Sequence, residues 1–238
     1  NEFYGTIRPK RVIHPGERAL HALRERGVEY VEVRLMDLDP FEPVGIHAQT
    51  MRFLDIFLLH CLLSDSPPDT PAEIAELKYN QHQTAARGRE PGLLLQRGGG
   101  QVLLTEWGAE VVAGCAPIAA ALDAAQGGTQ YQDALAMAQA RLLDASLLPS
   151  SRVLAAMAAG FDNSFVGFAR AQSVATRQAL LALPFSAEHQ ARFEALTQES
   201  IQAQKKIEAA DTLPFEAYRE HYVSPECLRV PCREPAHA

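Results

Sequence analysis

The first part of the chain alternates between short apolar and polar segments in a way that predicts a strand, a helix and a second strand. Residues 2 to 13 have the alternation of an extended segment. Residues 16 to 26 carry an apolar stripe at helical spacing and are followed by Gly27, which predicts a short helix that ends there. Residues 28 to 35 predict the second strand.

From residue 47 onward the pattern is mainly helical. Residues 47 to 64 are apolar around most of the helix circumference, as expected of a helix buried in a bundle. Thr70 and Glu73 have the spacing of a capping box, which predicts the start of a second helix. Further helices are predicted over residues 109 to 125, 131 to 143, 150 to 159, 163 to 183 and 187 to 210, followed by a polar tail after Tyr222.

Residues 92 to 105 interrupt the helical pattern with two short apolar runs on either side of a triple glycine. The glycines at 98 to 100 are not followed by the Lys-Ser or Lys-Thr pair of a phosphate-binding loop. The segment therefore predicts a β-hairpin whose turn contains the glycines.

Composition and charge narrow the class of protein. The chain has 238 residues, 47% of them hydrophobic, which is enough for one large domain or two small ones. Its net charge of -7 gives no electrostatic reason to bind nucleic acids or anionic membranes, whose protein partners usually have clustered basic residues. The most apolar segment, residues 50 to 63, is shorter than the roughly 20 residues of a membrane span. We therefore expect neither nucleic acid nor a membrane as a partner.

The four cysteines lack the C-x-x-C spacing of zinc sites, and we expect mostly unreactive thiols. Cys227 and Cys232 are close enough in sequence to form a bridge or bind a metal, although a reducing cytosol opposes a disulfide. A cytoplasmic location fits this composition.

Glu32 and Arg34 lie two residues apart in the second predicted strand and must therefore project from the same face. A carboxylate beside a guanidinium suits a site that holds a divalent cation and a phosphoryl group. An ordinary surface salt bridge has the same spacing. The spacing alone leaves both interpretations open.

Several short motifs follow one another along the chain. They are Asn-Glu-Phe-Tyr at 1–4, Ile-Arg-Pro-Lys at 7–10, Gly-Val-Glu-Tyr-Val-Glu-Val-Arg at 27–34, Asp-Leu-Asp-Pro-Phe at 37–41, Arg-Phe-Leu-Asp at 52–55, Gly-Arg-Glu-Pro-Gly-Leu at 88–93, Glu-Ala-Ala-Asp-Thr at 208–212 and Pro-Phe at 214–215. Together they resemble the bacterial class of glutamate–cysteine ligase, also called γ-glutamylcysteine synthetase.

The resemblance implies an α+β fold of the glutamine synthetase type. Residues 1–105 would hold the C-terminal strands of its antiparallel catalytic sheet with core helices, and residues 106–238 would form a mainly helical C-terminal region. The reaction implied is ATP-dependent ligation of the γ-carboxylate of glutamate to the amine of cysteine through a γ-glutamyl phosphate, the first step of glutathione biosynthesis. Glutamate, cysteine and ATP would be the small-molecule partners, and Mg²⁺ the cofactor.

The resemblance also assigns roles to three residues, and strand geometry adds a fourth. Glu32 matches the metal-binding acid of the family, and Arg34 matches the arginine beside the position of phosphoryl transfer, where it would act in catalysis and bind the nucleotide. Tyr4 matches a tyrosine near the bound cysteine. Arg8 is expected to join the same substrate pocket, because an even offset along a strand keeps the face.

The family's polypeptide is about twice as long as this chain, which resembles its C-terminal half and begins with Asn1 rather than Met. We therefore expect a fragment or one piece of a divided enzyme, with the N-terminal half as a partner. Two alternatives stay open. The chain could belong to a related carboxylate–amine ligase that uses another amine, or it could be a non-catalytic helical interaction domain.

Overall fold

The computed structural model describes residues 5–14, 17–34 and 36–229, so the predicted site residue Tyr4 lies outside the described residues. The described part is α+β, with helices predominating. Its elements are β1 (Ile7–Lys10), α1 (Ala19–Arg26), β2 (Tyr30–Val33), α2 (Ala48–Leu63), α3 (Pro71–Arg87), β3 (Leu94–Arg97), β4 (Gly100–Leu103), α4 (Leu104–Gln126), α5 (Gln130–Leu143), a 3₁₀ turn (Ala145–Leu147), α6 (Pro149–Gly160), α7 (Phe165–Leu181), α8 (Ala187–Ala210), α9 (Phe215–Tyr222) and α10 (Pro225–Arg229). The predicted fold class is confirmed, and the segment predicted as a polar tail contains α10.

The chain forms two compact units. One contains the described residues up to Asp37 together with those from Pro184 onward, and the other runs from Leu38 to Leu183. The sequence predicts a different division, at residue 105, and that division into domains stays a prediction.

In the first unit, β1 and β2 form a two-stranded antiparallel sheet, and α1 is the connection between them. Arg26, at the end of α1, donates from Nη1 and Nη2 to the two carboxylate oxygens of Glu17 at 2.6 and 2.8 Å. The same Nη2 donates to the carbonyl oxygen of Val12 at 2.8 Å. This bidentate pair ties the end of α1 to the segment that leads into it.

The core of the second unit lies among α2, α4 and α5. Its buried side chains are Ile56, Val112, Cys115, Ala119, Tyr131, Ala134 and Leu135. Ile56 is the buried residue that α2 contributes, as expected of a core helix, but the burial of α2 is one-sided. Leu62 and Leu63 at its end are exposed, because α4 and α5 cover only part of its circumference.

The longest apolar helix is α4, whose length and composition would allow it to cross a membrane. Several features instead fit a helix of a folded core. Val112, Cys115 and Ala119 face α2 and α5 in the core, and Asp123 near its end is buried. The Asp123 carboxylate accepts hydrogen bonds from the backbone N–H groups of Tyr131 and Gln132 at 2.9 and 3.0 Å, and thereby caps the first turn of α5.

The predicted hairpin is confirmed as β3 and β4. Gly98 and Gly99 form its turn with φ values of 59° and 79°, which glycine adopts without strain. Their N–H groups donate to the two carboxylate oxygens of Glu76 in α3 at 2.9 and 2.8 Å. Gly98 and Gly99 therefore serve a turn that α3 fixes in place.

The cysteines divide into two groups. Cys61 and Cys115 are free thiols, and burial raises the pKa of the Cys115 thiol, with the nearby Cys61 acting in the same direction. Cys227 is disulfide-bonded, so the expectation of an unreactive thiol is wrong for this residue. Cys232 lies outside the described residues.

Candidate functional site

The pairing of β1 with β2 brings charged residues from both strands to one face of the sheet. Arg8 lies opposite Glu32, and Lys10 lies opposite Tyr30. The N–H of Arg34 donates to the carbonyl oxygen of Thr6 at 2.7 Å, so the pairing continues one residue beyond β2. Because side chains alternate along each strand and paired residues share a face, Arg8, Lys10, Glu32 and Arg34 lie on the same side.

Glu32 is at the centre of this charged face. Its Oε1 lies 2.7 Å from Arg34 Nη2, and its Oε2 lies 3.4 Å from Lys10 Nζ. Burial opposes ionisation of the Glu32 carboxyl, but hydrogen bonds and charge from Arg34 and Lys10 outweigh burial and lower its pKa. Glu32 is therefore held as a carboxylate between two cations.

The charged face has three cations and one carboxylate, so its net charge is positive. Arg34 is about half exposed, with a side-chain exposure of 48%. Its guanidinium can therefore meet a ligand while Glu32 fixes its orientation. Such an arrangement suits an anion with several oxygens, such as a phosphoryl group or a carboxylate.

Lys10 is the residue of this face that sequence analysis missed. A usable signal was present, because Lys10 is two residues beyond Arg8 and alternation puts both on one face. Pro9 between them made continuation of the strand uncertain. In the structure Pro9 lies within β1 opposite Val31, and the alternation passes through it.

The structure describes three of the four predicted site residues. It brings Arg8, Glu32 and Arg34 to one face, and Arg8 Nε donates to the carbonyl oxygen of Gly5 at 3.4 Å. Tyr4 lies outside the described residues. The substrate, metal and catalytic roles of these four residues stay predictions.

A magnesium ion requires several oxygen ligands, and Glu32 is the acidic residue that the charged face offers. Its Oε2 faces Lys10 Nζ at 3.4 Å, has no other partner among the described residues and could serve as one ligand. Those residues contain no cluster of three or more acidic, histidine or cysteine side chains arranged to bind a metal. The described part of the chain is therefore not a complete magnesium site.

Asp39, in the loop after β2, has a structural environment of its own. It is buried, and its Oδ1 accepts a hydrogen bond from the N–H of Phe41 at 3.0 Å. Arg152 of α6 lies 3.6 Å from Oδ2 and 4.2 Å from the centre of the Phe41 ring. Asp39 thus fixes its own loop against α6.

A family model described as glutamate-cysteine ligase matches residues 1–84. The glutamate–cysteine ligase of Janthinobacterium sp. (strain Marseille) is 48% identical over 222 residues, which are 93% of this chain and 42% of the relative. The ligase of Pseudomonas fluorescens (strain Pf0-1) is 44% identical over the same coverage.

The fold matches a crystal structure of glutamate–cysteine ligase from Francisella tularensis in complex with AMP. The TM-score is 0.83 at 30% sequence identity, and the match covers 92% of this chain and 43% of that chain. The fold is thus that of the α+β, glutamine synthetase-like class. Over the part that it spans, the chain matches the glutamate–cysteine ligase family. It spans less than half the length of these relatives.

Proposed function

We propose that this chain supplies one part of the active site of a glutamate–cysteine ligase, which joins the γ-carboxylate of glutamate to the amine of cysteine with ATP as co-substrate. The observation that carries the proposal is the charged face of β1 and β2, where Arg8, Lys10 and Arg34 surround Glu32. Relatives that carry the ligase name and a solved relative that holds AMP support it.

The charge on this face fits the main physical difficulty of the reaction. Attack of a carboxylate on the terminal phosphate of ATP brings two anions together, and cations must stabilise the charge that develops. Arg34 can donate two parallel hydrogen bonds to phosphoryl oxygens, while Lys10 adds a point charge to the same side. We assign phosphoryl stabilisation to Arg34, with Lys10 in support.

The other predicted roles are part of the same proposal. Arg8 lies opposite Glu32 and would bind a substrate carboxylate, and Tyr4 would form a wall of the cysteine pocket. When bound, Mg²⁺ would neutralise phosphate charge, with Glu32 Oε2 as one of its ligands. The further acidic ligands and the remaining pocket walls would come from the part of the longer relatives that this chain does not span. A cytoplasmic location belongs to the proposal as well.

The test combines the chain with the part of the Janthinobacterium ligase that it does not match. Formation of γ-glutamylcysteine from glutamate, cysteine and Mg-ATP is measured for the native chain, for Arg34→Ala and for Arg24→Ala. Arg24 is an exposed arginine of α1 and is the matched control. We expect Arg34→Ala to lower kcat by about 100-fold or more, the scale for losing a donor to a transition-state oxyanion, and Arg24→Ala to leave it unchanged.

Equal turnover of the native chain and Arg34→Ala would overturn the role of Arg34. Absence of γ-glutamylcysteine together with ATP-dependent product from another amine would indicate a related carboxylate–amine ligase. Absence of any product despite assembly of the two parts would indicate a non-catalytic domain.

A further inference from the structure

Arg18, directly before α1, is a buried cation with two guanidinium nitrogens that have no hydrogen-bond acceptor in the part of the chain that the structure describes. It is 8% exposed, and its Nε and Nη2 are both shielded from solvent. Among the residues that the structure describes, neither nitrogen finds an acceptor. Buried charged groups are ordinarily paired and hydrogen-bonded, because leaving them unpaired is costly.

The ring of Tyr222 in α9 accounts for one face of the guanidinium. The guanidinium carbon Cζ of Arg18 lies 3.9 Å from the centre of the Tyr222 ring, which is a cation–π geometry. This stacking leaves the N–H groups unsatisfied, because they point outward in the plane of the guanidinium. Arg18 is therefore oriented by Tyr222, while its Nε–Nη2 edge has no partner among the residues described.

Two carboxylates, one next to Arg18 in sequence and one in the helix of Tyr222, already have partners. Glu17, the preceding residue, accepts from Arg26 at 2.6 and 2.8 Å and from the N–H of His14 at 2.9 Å. Glu216 of α9 pairs with Arg219 at 2.8 Å. The first turn of α1 contains no acidic residue, and no side chain caps its N-terminus. The local structure thus adds positive potential near Arg18 without supplying an acceptor.

We propose that Arg18 binds a carboxylate that the described chain does not supply. Nε and Nη2 form a flat edge with two parallel donors, which matches the two oxygens of a carboxylate. The carboxylate can be an Asp or Glu side chain from the part of the longer relatives that this chain does not span, or a free small carboxylate. The site uses none of the residues of the charged face of β1 and β2, and its test does not depend on ligase activity.

The test measures thermal unfolding and binding for the native chain and for Arg18→Met, Arg18→Lys and Arg24→Met, and thermal unfolding alone for Arg26→Met. Arg18→Met removes the charge and keeps a long apolar stem, whereas Arg18→Lys keeps the charge and loses the flat two-donor edge. Arg24→Met removes an exposed cation from the same helix and is the control. One arm adds acetate or glutamate against sodium chloride of equal ionic strength, and the other adds the unmatched part of the Janthinobacterium ligase.

We expect Arg18→Met to be harmless or stabilising in the chain alone but to weaken binding when a carboxylate is supplied. In the chain alone, Arg18→Met leaves the Tm unchanged or raises it, because it removes a buried charge that has no acceptor. In the arm that supplies the carboxylate, Arg18→Met and Arg18→Lys weaken binding by about 30-fold or more, and Arg24→Met does not. An effect of acetate or glutamate identifies a free carboxylate, and an effect confined to the polypeptide arm identifies a side chain.

Three outcomes would overturn the proposal. The first is that the native chain and Arg18→Met bind the small carboxylates and the polypeptide equally well. The second is that the native chain binds neither. The third is a Tm loss for Arg18→Met alone as large as that for Arg26→Met, whose guanidinium has acceptors. Should Arg18→Met fail to fold by circular dichroism, Arg18→Lys decides the binding arms. Because the readouts are stability and binding, a chain without ligase activity can still satisfy this proposal.

Discussion

The helices of the α2, α4 and α5 core and helix α8 form from similar local signals but differ in burial. The three core helices enclose Ile56, Cys115 and their buried neighbours. In α8 every residue from Ala187 to Ala210 is exposed, including Ile207 at 71%. The start of α8 is nevertheless well specified, because Ser186 Oγ accepts a hydrogen bond from the N–H of His189 at 3.1 Å. A cap and a helical pattern thus define a helix without defining what covers it.

The difference matters for stability because most of the free energy that holds a helix in a protein comes from tertiary packing. The core helices have that packing within this chain. Helix α8 keeps Phe193, Leu196 and Ile207 exposed, in a chain that spans less than half the length of its relatives. Substitutions at matched apolar positions should therefore have very different effects in the two regions.

The largest effect is expected at Ile56, which is fully buried in α2 against α4 and α5. Ile56→Ala removes core packing and leaves a cavity, so we expect a loss of about 2–5 kcal/mol in the free energy of unfolding. Ile56→Val, which removes one methylene, should cost about 0.5–1.5 kcal/mol. Urea unfolding followed by circular dichroism measures both. If Ile56→Ala lost less free energy of unfolding than Ile56→Val, this position would not be closely packed.

A smaller, pH-dependent effect is expected at Asp123, which joins α4 to α5. Burial acts to raise the pKa of its carboxyl, but hydrogen bonds from Tyr131 and Gln132 outweigh burial and lower that pKa below its ordinary 3.8. A lowered pKa in the folded state means that the carboxylate stabilises the fold above about pH 3.8. That contribution is lost as the pH falls through the folded-state pKa.

We therefore expect Asp123→Asn to lower the Tm at pH 7 and to weaken its dependence on pH in the acid range. Asn has one carbonyl oxygen and cannot accept on both sides as the carboxylate does. Asp133→Asn is the control, because Asp133 lies in the first turn of the same α5 but is exposed. Parallel Tm-against-pH curves for the native chain and Asp123→Asn would contradict the capping role.

Local sequence was sufficient for the features that depend on a few neighbouring residues. Thr70 Oγ1 accepts from the N–H of Glu73 at 3.2 Å, as the predicted capping box requires, and the bounds of α8 match the predicted 187 to 210. The spacing of Glu32 and Arg34 likewise predicted their common face. All of these follow from the fixed periods of helices and strands.

Features that depend on residues distant in sequence were not predictable in the same way. The approach of Lys10 to Glu32 requires the register of β1 against β2, which no spacing within one strand reveals. The contact of Asp123 with the start of α5 requires the chain to reverse at Gly127 and Gly128, both at positive φ. The burial of Arg18 depends on a residue about two hundred positions away, Tyr222.

The smallest effect is expected at Leu196 in α8, and it tests the comparison most directly. In the chain alone, Leu196→Ala should change the free energy of unfolding by less than about 0.5 kcal/mol, because the leucine is already exposed and alanine is the better helix former. Urea unfolding at two protein concentrations measures it. A loss as large as that for Ile56→Ala would contradict the exposure of α8, and if that loss grew with protein concentration, self-association would be covering the helix. A small loss at both concentrations would instead mean that α8 keeps an uncovered apolar surface in the chain alone.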